Sequence, residues 1–222
     1  MSPLILDFLN DLKVNNNREW FQANKGRYDK VKIEFEAFIN NLIPRLREID
    51  PLIDLLTAKD CVFRIYRDVR FSTDKSPYKT NIGAYIARGG KGSLLAGYYV
   101  HFEPGASMLA GGLYMPPAET LKKVRDEIYY QADDFKKIIN NKKFVGCFGK
   151  IDDPGKMKNP PKGYPKEFAD IDLLKYRNYA VMHTVADEVA EKDDYLEYAL
   201  AVFRLLYPLN TWFNRILIQN NR

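Results

Sequence analysis

The sequence predicts an α+β fold: a central, mainly antiparallel sheet flanked by helices from the N-terminal, middle and C-terminal parts of the chain. Three observations carry this. Across residues 28–46, apolar side chains recur at three- and four-residue steps, which places them on one face of a helix. From residue 61 to 115 the chain changes to short segments rich in aromatic and β-branched residues, broken by GGKGS and PGAS. After Pro116-Pro117 the helical period returns, and it governs the chain again over about residues 195–218.

At the N-terminal end, Asn16 followed by Glu19 predicts a capping box, in which the Asn side chain accepts an orphan N–H at the start of a helix. The long helix after it should bury Val31, Phe35, Phe38, Ile39, Leu42, Ile43 and Leu46. Pro44 predicts a kink or break in that helix, because proline lacks the N–H that a helical hydrogen bond needs. Strands are expected over residues 61–66, 81–88, 97–103 and 107–115. The connections at 89–96 and 104–106, which hold GGKGS and PGAS, are shorter than the dozen or so residues of a parallel crossover, so the expected topology is a meander. Leu121, Val124 and Ile128, then Phe135, Ile138 and Ile139, mark a further helix. The Pro-rich loop NPPKGYPKEF leads on to a short helix and a strand over 179–185. Trp212, Phe213, Ile216 and Leu217 predict the packed face of a closing helix.

Composition bounds the function classes. A chain of 222 residues with 46% hydrophobic content can hide about 70% of its unfolded surface, and no repeat or low-complexity stretch interrupts it. One domain over residues 1–222 is expected. A net charge of +5 suits an anionic partner but falls short of a nucleic-acid-binding arm. The start, MSPLILDFLNDLK, has no basic leader, and no apolar run reaches the length of a membrane span, so a cytoplasmic protein without a membrane segment is expected. Cys61 and Cys147 read as reduced thiols rather than a disulfide framework.

Four segments share a further property. NNNREWFQANKGRYDKV, FRIYRDVRFSTDKSPYKTN, GYYVHFEPG with GGLYMPPAETLKKVR, and PPKGYPKEFADIDLLKYRNY occur in this order, and together they resemble the family named domain of unknown function 2461 (DUF2461). The resemblance spans about residues 4–180. It implies a set of shared residues rather than a particular reaction or cofactor. Thr73 departs from the family pattern, where a Lys often stands, and so removes one cation from the second segment.

That second segment carries the functional signal. It crowds Arg64, Arg67, Arg70, Lys75 and Lys79 against only Asp68 and Asp74, leaving three positive charges without a local carboxylate. If Phe63 and Ile65 face a core, Arg64 and Tyr66 point to the opposite side. Guanidinium forks suit planar oxyanions such as carboxylate and phosphate. Arg64, Arg67, Arg70, Lys75 and Lys79, with Tyr78, are therefore the candidate anion-binding residues. Arg18 and Lys25 from the first segment, or Lys162 from the KGY turn, could join them. Asp68, Asp74 and His101 are the candidate proton-transfer groups, the last because it alternates with Tyr99 along an expected strand.

Three readings stay open. The first is a small phosphorylated or carboxylated ligand. The second is nucleic acid, with Tyr66, Tyr78 or Tyr98 stacking on bases. The third is a structural or interaction protein in which Asp68, Asp74, Glu19 or Glu103 pair with the arginines. Trp20 and Phe21 are expected to bury against the sheet. His101 and His183 are the only histidines, and without H-x-x-x-H or C-x-x-C spacing no metal or other cofactor is expected. RGGKGS lacks the phosphate-loop pattern and reads as a flexible hairpin tip.

Overall fold

The computed structural model describes residues 3–151 and 153–219. Helices α1 (Leu4–Val14), α2 (Arg18–Ala23), α3 (Lys25–Ile49) and the short α4 (Ala58–Cys61) open the chain. Strands β1 (Ile82–Ile86), β2 (Gly97–Phe102) and β3 (Met108–Leu113) follow, then helices α5 (Ala118–Ile139), α6 (Lys142–Phe148) and α7 (Ile171–Leu174). Strand β4 (Tyr179–Thr184) and helices α8 (Asp187–Ala190) and α9 (Tyr195–Gln219) complete the order. The strands lie in the order β1-β2-β3-β4 with every neighbouring pair antiparallel, the expected meander. Among the described residues, no helix is long and apolar enough to cross a membrane.

The residues buried on α3 are the seven that the periodicity picks out. Pro44 does not interrupt the helix, which runs unbroken for 25 residues. A mid-helix proline costs about 3 kcal/mol. The flanking Ile43 and Leu46, both buried, each contribute about 1.5–3 kcal/mol of packing, so burial wins. α5 breaks where no proline stands: Gln131 leaves helical geometry (φ −134, ψ 41) and separates the two apolar runs.

One face of the sheet meets the long helices. Phe102 packs on Phe35 and Phe38 of α3 at ring separations of 5.8 and 6.1 Å, and Tyr98 packs on Phe203 of α9 at 5.2 Å. Trp212, Phe213, Ile216 and Leu217 are all buried on α9. Between them, Asn210 and Asn214 stitch the helix to the sheet. Asn210 donates to the Gly97 carbonyl (2.9 Å) and accepts the Gly112 N–H (3.0 Å). Asn214 donates to the Ala96 carbonyl (2.9 Å) and accepts the Ala96 N–H (2.8 Å). Gly112 must be glycine, since its φ is +91° and a Cβ would lie 2.3 Å from the Tyr179 carbonyl oxygen.

Strand alternation turns Tyr85, Tyr99 and His101 to the reverse face. Tyr85 and Tyr99 are directly paired, and each lies over the glycine of the other's strand. A Cβ on Gly83 would meet the Tyr99 hydroxyl at 2.6 Å, and one on Gly97 would meet the Tyr85 ring at 2.9 Å.

Three local expectations are corrected. Residues 61–66 form no regular strand. Asp60 accepts the Thr57 N–H (2.8 Å) and winds α4 through Cys61. The chain then touches β1 only at Val62 and Phe63 before turning to pair with residues 77–79. The N-cap of α2 is Asn17 rather than Asn16: it is extended and accepts the Trp20 N–H, while Glu19 stays exposed. The RGGKGS tip is docked rather than loose. Gly90 is buried so close to α4 that a Cβ would lie 2.6 Å from the Asp60 carbonyl oxygen, and Lys91 donates to the Lys59 carbonyl (2.7 Å).

Candidate functional site

The cationic segment folds into a short arm. The Arg67 N–H donates to the Pro77 carbonyl (3.0 Å), the Lys79 N–H donates to the Ile65 carbonyl (2.8 Å), and Tyr66 bridges Tyr78 between them. Ile65 anchors the arm in the core, while Arg64 and Tyr66 face out as alternation requires. Asp74 closes the loop by accepting the Ser76 N–H (2.9 Å) and hydroxyl (2.6 Å) and the Arg67 guanidinium. The Ser76 hydroxyl and N–H, then Arg67, hold the Asp74 carboxyl down at about 2. Arg67 also donates to the Ser76 carbonyl (3.2 Å) and the Ser72 hydroxyl (3.3 Å).

Asp68 accepts two bonds from the Arg70 side chain, at 2.9 and 2.7 Å, and these bonds lower its pKa. Lys75 reaches only the Val69 carbonyl (3.0 Å). Among the described residues, Arg64, Lys75 and Lys79 therefore have no carboxylate at ion-pair distance, although the Arg64 charge helps to lower the Asp68 pKa. Lys79 lies 5.6 Å from the Phe63 ring centroid, and burial, then the Arg64 charge, lower its pKa. Phe71, at the loop tip, is 96% exposed.

Helix α2 forms the facing wall. The carboxamide of Asn16, displaced from the capping role by its neighbour, donates to the Tyr78 carbonyl (2.9 Å) and accepts the Tyr78 N–H (3.1 Å). Phe21 stacks on Tyr78 with centroids 3.9 Å apart. This corrects the expectation that Trp20 and Phe21 pack on the sheet: their ring partners are Phe8 of α1, Tyr28 of α3 and the arm's Tyr66 and Tyr78.

Between the walls lies a hollow of about 400 Å³. Arg18 and Gln22 enter it from α2, and Tyr66, Arg67, Val69, Pro77 and Tyr78 from the arm. Among the described residues, no carboxylate lines it. Among the described residues, Arg18 has no ion-pair partner. Tyr78 is only 3% exposed, so its ring is core. Burial and the Tyr66 hydroxyl raise its phenol pKa, while Arg18 pulls it back.

The structure thus brings together Arg67, Tyr78 and Arg18 of the residues singled out in the sequence. Arg64, Arg70, Lys75 and Lys79 lie outside the hollow's lining. Lys25 pairs with Asp29 (2.7 Å). Lys162 is exposed on the Pro-rich loop, where its neighbour Tyr164 donates to Asp126 (2.7 Å). Gln22, Val69 and Pro77 are lining residues that the sequence reading passed over. The signal for their placement is the run Asn15-Asn16-Asn17, whose short carboxamides serve as cap and as clip. Tyr98 is not free to stack on a base: it is buried, and its hydroxyl donates to Asp50 (3.0 Å).

His101 sits apart, on the reverse sheet face. Its Nε2 lies 3.1 Å from Glu103 and its Nδ1 2.9 Å from the Tyr99 hydroxyl, and Glu103 also accepts the Thr80 hydroxyl (2.9 Å). With Glu103 ionised, Nε2 carries the hydrogen and Nδ1 accepts from Tyr99. Burial, then the Glu103 charge, push the Tyr99 phenol up to about 12. Glu103 therefore serves the histidine rather than an arginine. His183 donates from Nδ1 to the Cys147 carbonyl (2.8 Å), which leaves Nε2 to accept the Tyr198 hydroxyl (2.6 Å). Both cysteines are free thiols, and burial pushes Cys61 up to about 11. Among the described residues, no group of three or more His, Cys, Asp and Glu side chains could hold a metal ion.

The chain matches a family model over residues 4–212, described as "Conserved hypothetical protein (DUF2461)". The chain belongs to the DUF2461 family. The match extends beyond the four resembling segments into α9, so Asn210, which stitches that helix to the sheet, lies within it. No curated protein and no solved structure matches the chain significantly.

Proposed function

We propose that this chain binds a small carboxylated or phosphorylated ligand in the hollow between α2 and the arm. The observation that carries this reading is that two guanidiniums, Arg18 and Arg67, line a recess in which, among the described residues, there is no carboxylate and Arg18 has no partner of its own. A guanidinium with free donors gains more from a planar oxyanion than from water when the neighbouring walls are apolar. The Arg67 donors spent on Asp74, Ser76 and Ser72 fix its plane, so it would orient the ligand while Arg18 supplies the charge.

A second reading has its own support. On the arm's outer side, away from the hollow's lining, Arg70 lies 5.9 Å from the ring of the exposed Phe71 and Lys79 lies 5.6 Å from the Phe63 ring, cations beside aromatic rings of the kind used against single-stranded nucleic acid. One experiment separates the two. Thermal-shift titration with small carboxylates, sugar phosphates and oligonucleotides should give saturable stabilisation by a small anion, and Arg67→Ala should abolish it. Stabilisation that grows with oligonucleotide length and collapses with added salt would transfer the function to the outer side. No shift across the panel would remove both readings.

A further inference from the structure

We infer that the ligand is a monoanionic carboxylic acid with a flat apolar body, of the aryl-acid class, rather than a phosphate ester or nucleotide. This rests on the reading that the hollow seats an anion. Charge sets the first limit. The Arg67 charge is already answered by Asp74, which leaves Arg18 as the one uncompensated guanidinium in the lining. A phosphate monoester carries close to two negative charges at neutral pH. Its second charge would lie against Val69, Pro77 and the Tyr66 ring without a counter-ion, and such desolvation is costly. A carboxylate matches the single free fork, and the Tyr78 hydroxyl, which has no hydrogen-bond partner among the described residues, is a further donor on the same lining.

The walls set the second limit. Beyond the donors the recess offers an aromatic ring, a proline and a valine, so it rewards an apolar body over a hydroxylated or charged one. Tyr66 keeps 48% of its surface exposed and can stack on a planar ring. At about 400 Å³ the space falls at the small end of the ~300–1,000 Å³ usual for ligand sites. That accommodates an aryl acid and leaves little for a nucleotide.

The test is calorimetric titration of the full chain at pH 7.5 with phenylacetate, phenyl phosphate, inorganic phosphate and 2-phenylethanol. Phenylacetate should bind tightest, weakened about tenfold by Arg18→Gln and less by Tyr78→Phe, which keeps the ring that stacks on Phe21. Arg18 is exposed and unpaired, so its variant should melt with the wild type, and this control separates lost binding from lost folding. Arg18-dependent binding in which phenyl phosphate outranks phenylacetate would overturn the carboxylate assignment while leaving an anion seat. Inorganic phosphate binding as well as the aryl ligands would overturn the apolar body. If 2-phenylethanol binds as tightly as phenylacetate, or if none of the anions binds, the inference falls together with the reading it rests on.

Discussion

The seam between α9 and the sheet and the arm at residues 64–79 are both rich in polar groups, and they treat them in opposite ways. At the seam, Asn210 and Asn214 each use donor and acceptor on backbone groups, and both side chains are buried. Around the arm, two arginines find aspartates, while Arg64, Lys75, Lys79 and the facing Arg18 find none among the described residues. A buried polar group left unanswered costs about 1–3 kcal/mol, so the two asparagines close the backbone groups at the seam, even though the Tyr195 hydroxyl and the Trp212 N–H elsewhere on α9 stay buried without a partner among the described residues. The arm lies at the surface, where water tolerates the surplus and an anion can replace that water. The answered asparagines of the seam mark architecture, and charge left over at the surface marks a place to look for a ligand.

Substitutions can break or sharpen that contrast. Gly112→Ala should be the most damaging, because a Cβ there meets the Tyr179 carbonyl oxygen at 2.3 Å from a left-handed backbone; a loss of about 3 kcal/mol or more is expected in denaturant unfolding. Asn210→Ala strands the Gly97 carbonyl and the Gly112 N–H, and about 2–4 kcal/mol should disappear from chemical stability while ligand affinity stays unchanged. If affinity falls with it, the seam and the hollow are coupled and the contrast fails. Asp74→Asn should act least, lowering the melting temperature by about 2 °C at pH 7. Because the folded carboxyl is depressed from 3.8 to about 2, its contribution is complete above the ordinary Asp value. It is lost as pH falls through that window, so wild type and variant should converge near pH 2. A gap that persists there would mean that Asp74 acts through packing rather than charge.

Much of the architecture was legible because its causes are local. The three- and four-residue spacing on α3 named its buried face, and the turn signals at GGKGS and PGAS separated β1, β2 and β3. Residues 61–66 misled because their strand-like composition serves two partners in succession, β1 at Val62 and then residues 77–79, and pairing choice is a long-range property. The charge count in the arm was legible too, down to a surplus of three, but the position of the recess was not. It depends on Asn16 meeting Tyr78 across 62 residues, and nothing in the intervening spacing encodes that meeting. Pro44 shows the reverse, since the break that a proline allows is overruled by the packing of Ile43 and Leu46.

Asn16 holds both the N–H and the carbonyl of Tyr78, so α2 and the arm are banks of one channel, fixed before any guest arrives. Ordering a loose segment costs about 1–2 kcal/mol for each residue frozen, enough to cancel the gain from a small acid within a few residues. Here that expense falls on folding rather than on association, which favours retention of a guest of modest size under the proposed binding.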